Sequence, residues 1–516
     1  MANNVVSFVP SVMPKSAAVP FVSTLGARDD TVAKTSLTYD EGALRRELPR
    51  TLMGGTVAMR AAGEKYLPKH PVESSDAYES RLQNAFLYNA FEMTITAQAA
   101  KFFGEPVELK EDVPPELQKL CENIDGEGRA LTPFCIDMVK EAFVDGISFV
   151  LVDFPNAAAE GAATMADQKR IGARPYWVLV LAENVIGWRD SNVGGQQIPT
   201  LVRIKENVAV PEGEYGEKIS ERIRELRPGS WRVWEKQKDA ANPITGVKWV
   251  VIEEGSTSLS YIPLVPFYTC RKAFFDGSPP LRALAEMNQE HWISLSEQKR
   301  ALSFARFDML VISGVEDSGT GVEIGPNKVL VLPTGGTAST VTQGGQGLES
   351  GRKDLGDIEQ RMQTAGLELR VENAGQTTAT AAAIDSSETN AGLRAVAKGL
   401  EDAIEICLQI SADFLSIKAG GGTVEIADAF GGNEIEGTAL DITTLNTAGI
   451  ISKPTAWSEL KRRQILGEDF DPEKEQLLLQ DEQAQQLDNA MRQQEMFAQF
   501  AQPPASGDQP PPGEGQ

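Results

Sequence analysis

Two histidines, His70 and His291, and four cysteines, Cys121, Cys135, Cys270 and Cys407, are the side chains of this 516-residue chain best suited to hold a metal or act as nucleophiles. Their spacing suits neither task. "EHWIS" around His291 has no HExxH partner, and two histidines cannot make a histidine-rich metal site. The cysteines form no CxxC pair, so free thiols in a reducing compartment are the expectation. No GxxxxGK[ST] loop exists to cradle a nucleotide phosphate, and "GTGVEIG" and "GGQGLESG" lack the spacing and the βαβ context of a dinucleotide fingerprint. A GxSxG nucleophile elbow is missing, and carboxylates such as Asp153 and Glu183 make no readable acid–base pair. "NIDGEG" departs from the EF-hand ligand spacing and reads as a turn. The residues therefore support no enzyme, cofactor or metal.

With catalysis unsupported, the elements carry the argument. The composition, 41% hydrophobic with a formal net charge of −24, allows a sizeable core and opposes tight wrapping of nucleic acid by the whole surface. No apolar run reaches the ~18 residues of a membrane span, so a soluble protein of several modules is expected. Pro10, Pro14 and Pro20 interrupt the N-terminus, which reads as an extended arm over 1–60. Helical spacing follows through Tyr78, Leu82, Phe86, Asn89 and Met93, and two more helices flank "DGEG".

From Ile147 the pattern turns to strand. "ISFVLVDFP", "RPYWVLVLAENVIGWR", "TLVRIKEN", "SWRVWEKQ", "VKWVVIEEG" and "SYIPLVPFYT" are rich in β-branched and aromatic residues and predict an antiparallel meander. Trp177, Trp188, Trp231 and Trp234 fit a packed sheet face better than a ligand cage.

Pro279 and Pro280 open a long helix with a thin stripe of Leu281, Leu284, Leu295 and Leu302. "MLVISG" and "NKVLVLPTGG" read as short strands, and a second helix carries Leu348, Leu355, Ile358, Met362 and Leu369. Gln376 to Ala383 lacks charge and bulk and reads as an exposed loop, with cap chemistry at Ser386, Ser387 and Glu388. A regular helix then places Leu393, Val396, Ala397, Leu400, Ala403, Ile404, Cys407, Ile410 and Phe414 on a buried face, opposite Arg394, Lys398, Glu401, Asp402 and Glu405. Asp441 to Leu466 reads as short helices broken at "SKP", and "PPASGDQPPPGEGQ" lacks the hydrophobicity to order itself.

This order of helix, short strands, helix, uncharged loop and long helix resembles the centre of tailed-bacteriophage portal proteins. More closely, "KYLPKHPVESSDAYESRLQNAFLYNA", "NIDGEGRAL", "DGISFVLVDFP", "RPYWVLVLAENVIGWR" and "ATAAAIDSSETNAGLRAVAKGLEDA" resemble a phage-encoded, portal-like family catalogued as a domain of unknown function (DUF4055). The likeness runs over about residues 60–420 and lies in the order and wording of blocks rather than in one motif.

The resemblance implies an α+β, portal-like fold. It would comprise the arm (1–60), a wing of helices then antiparallel strands (61–278), stem helices at 279–308 and 348–373, a small α/β clip (309–347), a tunnel loop (374–390), a spine helix and wing return (391–437), a helical crown (438–502) and a disordered tail (503–516). It implies a homo-oligomeric ring, usually of twelve subunits, at one capsid vertex of a virion. Double-stranded DNA would pass through it without sequence specificity during packaging and ejection. Terminase, a head–tail adaptor and the major capsid protein would be its partners, with no membrane, and assembly would take place in the bacterial host cytoplasm. Gln376, Thr377, Thr378, Thr380 and Asp385 would lie on the tunnel loop, and Ile312, Asn327, Lys328 and Leu330 on the clip.

Lys299, Arg300, Arg306, Arg352, Lys353 and Arg361 would lie on the stem, holding phosphates or pairing between subunits. Twelve copies would carry roughly −290, enough to repel DNA from the ring wall as it slides. The alternatives are another virion component, such as an adaptor or minor head protein, or a hydrolase using buried carboxylates.

Overall fold

The computed structural model describes residues 23–155, 172–239, 246–306, 309–313, 337–341, 345–367, 379–427 and 439–462, with scattered positions at 170 and between 465 and 491. The chain is α+β with antiparallel sheets, and divides into Met1–Phe430 and Gly431–Gln516.

The extended arm expected over 1–60 is corrected from residue 37 onward, where α1 (Leu37–Met53) and α2 (Gly55–Ala62) are helical. The three prolines behind that expectation lie outside the described residues. Ser36 instead opens α1, its hydroxyl accepting from the Tyr39 backbone N–H at 3.3 Å. Arg50 of α1 donates to Asp145 at 3.0 Å and to Glu141 at 2.5 Å, which ties the helix to α6. After α3 (Ser75–Asn84) the chain breaks at Ala85, and Asn89 caps α4 (Ala90–Lys101). The single spacing read across this break therefore fails: Tyr78 and Leu82 are buried, whereas Phe86 and Met93 are exposed and Phe91, Ile95 and Ala99 make the buried face of α4.

Strand β1 (Glu108–Leu109) and α5 (Pro115–Cys121) lead to "NIDGEG", where the Asp125 carboxylate accepts from the Glu127 and Arg129 N–H groups at 2.8 and 3.1 Å. It is a turn. Helix α6 (Leu131–Asp145) ends at Gly146, φ 81°, where a Cβ would lie 2.3 Å from the Ser278 backbone.

The expected single meander is two sheets. Strands β2 (Ile147–Asp153), β3 (Tyr176–Val180) and, much later, β9 (Leu264–Tyr268) form one, in the order β3-β2-β9. The second is a true meander of β4 (Val185–Val193), β5 (Gln196–Glu212), β6 (Gly216–Arg227), β7 (Ser230–Lys238) and β8 (Val247–Ser256). "RPYWVLVLAENVIGWR" thus supplies one strand to each sheet. Strand β6 was not read at all, because its lysines, arginines and glutamates hide the alternation; Arg224 pairs with Glu206 at 2.6 Å and Asp153 at 3.0 Å. The tryptophans pack as expected: Trp177 is buried beside Phe134, and Trp234 is buried with its Nε1 donating to Glu225 at 2.8 Å.

Short strands β10 (Arg271–Ala273) and β11 (Asp276–Gly277) precede α7 (Arg282–Ala305). Then β12 (Met309–Ser313) pairs antiparallel with β13 (Thr337–Val341), and α8 (Gly345–Leu367) follows. The second strand read at "NKVLVL" lies outside the described residues. The described partner is "TASTV", whose small and hydroxyl residues carry no strong apolar signal.

Helix α9 runs from Ala379 to Leu415, so the loop expected to 390 and the cap expected at Ser386 to Glu388 are corrected. Ala379–Ala383 contains four alanines, the strongest helix formers, and an uncharged alanine run extends a helix more readily than it makes a loop. From Leu393 on, the predicted face is buried, joined by Leu408, Ser411 and Ala412. On the polar face Glu401 and Glu405 accept the backbone N–H groups of Ile426 and Val424, the latter in β14 (Val424–Glu425). Trp177 Nε1 donates to Ser411 at 3.0 Å and Tyr261 donates to Asp413 at 2.5 Å, anchoring α9 on the three-stranded sheet.

In the second unit, α10 (Ala439–Thr447) and α11 (Lys453–Arg462) flank the break at "SKP", with the Ser452 hydroxyl and Pro454 opening α11.

Candidate functional site: a two-helix hairpin and a basic cleft

Helices α7 and α8 run antiparallel. Gln298 donates to the Leu348 carbonyl at 2.9 Å, His291 meets Glu359 at 3.1 Å and Arg361 pairs with Glu290 at 3.5 Å, so rising numbers on one helix meet falling numbers on the other. Gly351 faces the end of the Gln298 side chain, where a Cβ would come within 2.2 Å of Oε1 and would shift that side chain.

The buried side of α7 is not the leucine stripe. Leu281 and Leu284 are buried, but Leu295 is only half-buried and Leu302 is 36% exposed. Asn288, His291, Trp292 and Ser296 complete the buried face instead. Asn288 explains why a polar residue belongs there: Oδ1 accepts from the Phe91 N–H at 3.0 Å and Nδ2 donates to the Tyr88 carbonyl at 2.8 Å, satisfying backbone groups at the start of α4. On α8, Leu355, Ile358 and Met362 are buried as expected and Leu348 is half-buried; Leu369 lies outside the described residues.

The six basic residues assigned to this hairpin do not form one cluster. Arg352 is exposed and pairs with Glu349 at 3.1 Å on its own helix, Lys353 is exposed, and Arg361 reaches Glu290 within the same chain. Lys299, Arg300 and Arg306 gather at the other helix, where with Arg81 of α3 they line a cleft of about 620 Å³. Arg300 donates to Glu73 at 2.5 Å, and Arg81 donates to the same carboxylate at 2.8 Å. The Arg81 hydrogen bonds pull the Glu73 carboxyl down to about 2, with the Arg300 charge adding to them. Lys299 Nζ stands 5.3 Å over the Phe86 ring. Arg81 and Ser296 are the members that sequence reasoning missed. Arg81 looks like an ordinary last-turn helix cation, and only the fold brings α3 beside α7.

Of the residues placed on the tunnel loop, Thr380 and Asp385 lie within α9, and Gln376, Thr377 and Thr378 fall outside the described residues. Among the clip residues Ile312 lies in β12 opposite Ala338, and Asn327, Lys328 and Leu330 fall outside. Cys121, Cys135 and Cys407 are buried, and burial pushes all three thiols up, Cys121 to about 12. Among the described residues, no three His, Cys, Asp or Glu side chains come together to hold a metal ion, and no helix is long and apolar enough to cross a membrane.

The hairpin, β12, β13 and all of α9 fall within residues 280–415, which match the family described as Domain of unknown function (DUF4055). Among solved structures, the chain is similar to one described as "Neck of native GTA particle computed with C12 symmetry", at 10% identity and a TM-score of 0.36, over 78% of this chain and 98% of that one. It is similar to another described as "Virion of native gene transfer agent (GTA) particle", at 12% identity and a TM-score of 0.37, over 78% of this chain and 99% of that one. No curated protein sequence matches the chain.

Proposed function

We propose that the chain is the portal subunit of a phage-like particle: a structural protein of the virion that closes into a ring of about twelve copies around a channel for duplex DNA. In this reading α7 and α8 of the DUF4055 domain are the stem, β12 and β13 belong to the clip that docks terminase and the head–tail adaptor, and the first turns of α9 form the channel constriction. The remaining surface meets the major capsid protein. The observation that carries the reading is the order, among the described residues, of helix, strand pair, helix and 37-residue helix. The exposed far end of its hairpin, Lys299, Leu302, Ser303 and Arg306, fits contacts outside the chain. Packaging energy comes from a separate ATPase, and this subunit does no chemistry.

Native mass spectrometry with negative-stain images of the purified protein tests the proposal. A closed ring near twelve copies, with an axial hole that admits duplex DNA, is expected. A monodisperse closed dimer with a deep pocket would replace the portal by an enzyme, and a ring without an axial hole would favour a different virion component.

A further inference from the structure

The cleft between α3 and α7 holds more cations than its structural pairing with Glu73 uses. Four cations, Arg81, Lys299, Arg300 and Arg306, line it, and no carboxylate does. Glu73, itself buried, is shared by Arg81 and Arg300 and is not part of the lining, so the lining itself is cationic. The chain as a whole carries −24, so a concentration of positive charge at one place runs against its composition. Two buried groups at the cleft have no partner among the described residues: Arg81 Nη1 and Ser296 Oγ, on residues only 6% and 4% exposed. A buried donor without an acceptor costs about 1–3 kcal/mol. A ligand bearing several acceptor oxygens would recover that loss.

We propose that this cleft binds a phosphate group. Guanidinium forks and an ammonium group match the oxygens of a tetrahedral, multiply charged anion. A carboxylate, planar and singly charged, would leave most of these cations unmatched. The volume of about 620 Å³ falls among ligand sites of about 300–1,000 Å³ and leaves room for more than the bare ion. The phosphate belongs either to a nucleic-acid backbone or to a free small anion; the chemistry that holds it is the same. The site lies within one chain and does not rest on the formation of a ring.

Titration calorimetry of the full-length protein with inorganic phosphate, at low salt, is the test. One saturable site per chain is expected. The double variant Lys299→Ala with Arg306→Ala, both exposed side chains, should weaken binding at least about tenfold with an unchanged thermal melt. The variant Arg352→Ala with Lys353→Ala removes the same charge from α8 and should leave binding unchanged. A short DNA duplex that competes with phosphate and shows the same variant pattern would identify the backbone as the source. Phosphate binding without such competition would identify the free anion. No saturable phosphate binding, or equal weakening by both double variants, would overturn the proposal.

Discussion

The two ends of the α7–α8 hairpin are made differently although each helix is continuous. The base, Leu284 to Ser296 on α7 and Leu355 to Gly366 on α8, is held by buried side chains and by polar groups that finish the backbone of α4. The far end, from Glu297 on α7 and before Leu355 on α8, carries Glu297, Lys299, Arg352, Lys353 and Asp354 in solvent. The base therefore gains stability from its own chain, whereas the far end has surface left over for another molecule. What separates the two halves is the buried packing that only the base makes.

Substitutions at the base should be costly, and the largest effect is expected at Trp292. This side chain is fully buried, and Trp292→Ala should lower stability by about 3–5 kcal/mol by removing its contacts and leaving a cavity. Urea denaturation measures the loss; a change under 1 kcal/mol would mean the base is not packed as described. Asn288→Ala comes next at about 1–3 kcal/mol, since the Phe91 N–H and the Tyr88 carbonyl would both lose a buried partner. Asn288→Asp should restore the first bond but not the second, so a stability between alanine and wild type would apportion them.

How much of this could be read from the sequence follows the same division. Helix α9 was legible from Leu393 onward, where apolar residues recur at three and four and nearly all of the predicted face is buried, whereas its alanine-rich start was read as a loop. The buried face of α7 was not, because its signal residues are Asn288, His291 and Ser296, which count as polar in any periodicity. Their burial depends on α3, α4 and α8, which local spacing cannot register. Strand β6 failed for a related reason: its arginines and glutamates pair across strands, and cross-strand pairing is invisible one strand at a time. The basic cleft combines both difficulties. Three of its cations were among six assigned together to the two helices, but Arg81 lies some two hundred residues away and joins them only through the fold.

Between base and far end stands the Glu73–Arg300 pair. Glu73 titrates at about 2 when folded, below its ordinary 4.5, so it binds fewer protons in the folded than in the unfolded chain between those values. The stability it lends is complete above pH 4.5 and disappears as pH falls toward 2. In Arg300→Ala the carboxylate keeps Arg81, its principal partner, but loses the other cation. Its titration should then rise while staying below 4.5, and the acid loss of stability should begin at higher pH. At neutral pH the cost should be about 1 kcal/mol, because the Arg300 side chain is 36% exposed and its pair is partly screened. Carboxyl-detected NMR titration of Glu73 reads the shift, and an unchanged titration would show that Arg81 alone sets it.

The smallest effect is expected at the far end. Arg352 and Glu349 pair across three residues of α8 with side chains 78% and 72% exposed, so the pair is screened by solvent on nearly every side. Arg352→Ala should change the stability of the isolated chain by no more than about 0.5 kcal/mol. The informative measurement sets that near-zero value beside the assembly state of the same variant. If the melt is unchanged and the oligomer falls apart, Arg352 contributes across a subunit boundary, and the free surface of the hairpin is used there. If both are unchanged, the pair with Glu349 is only local and the partner of the far end engages other residues. A melt lowered by as much as Trp292→Ala would erase the distinction between the two ends, because a screened surface pair cannot hold a helix that its packing does not already hold.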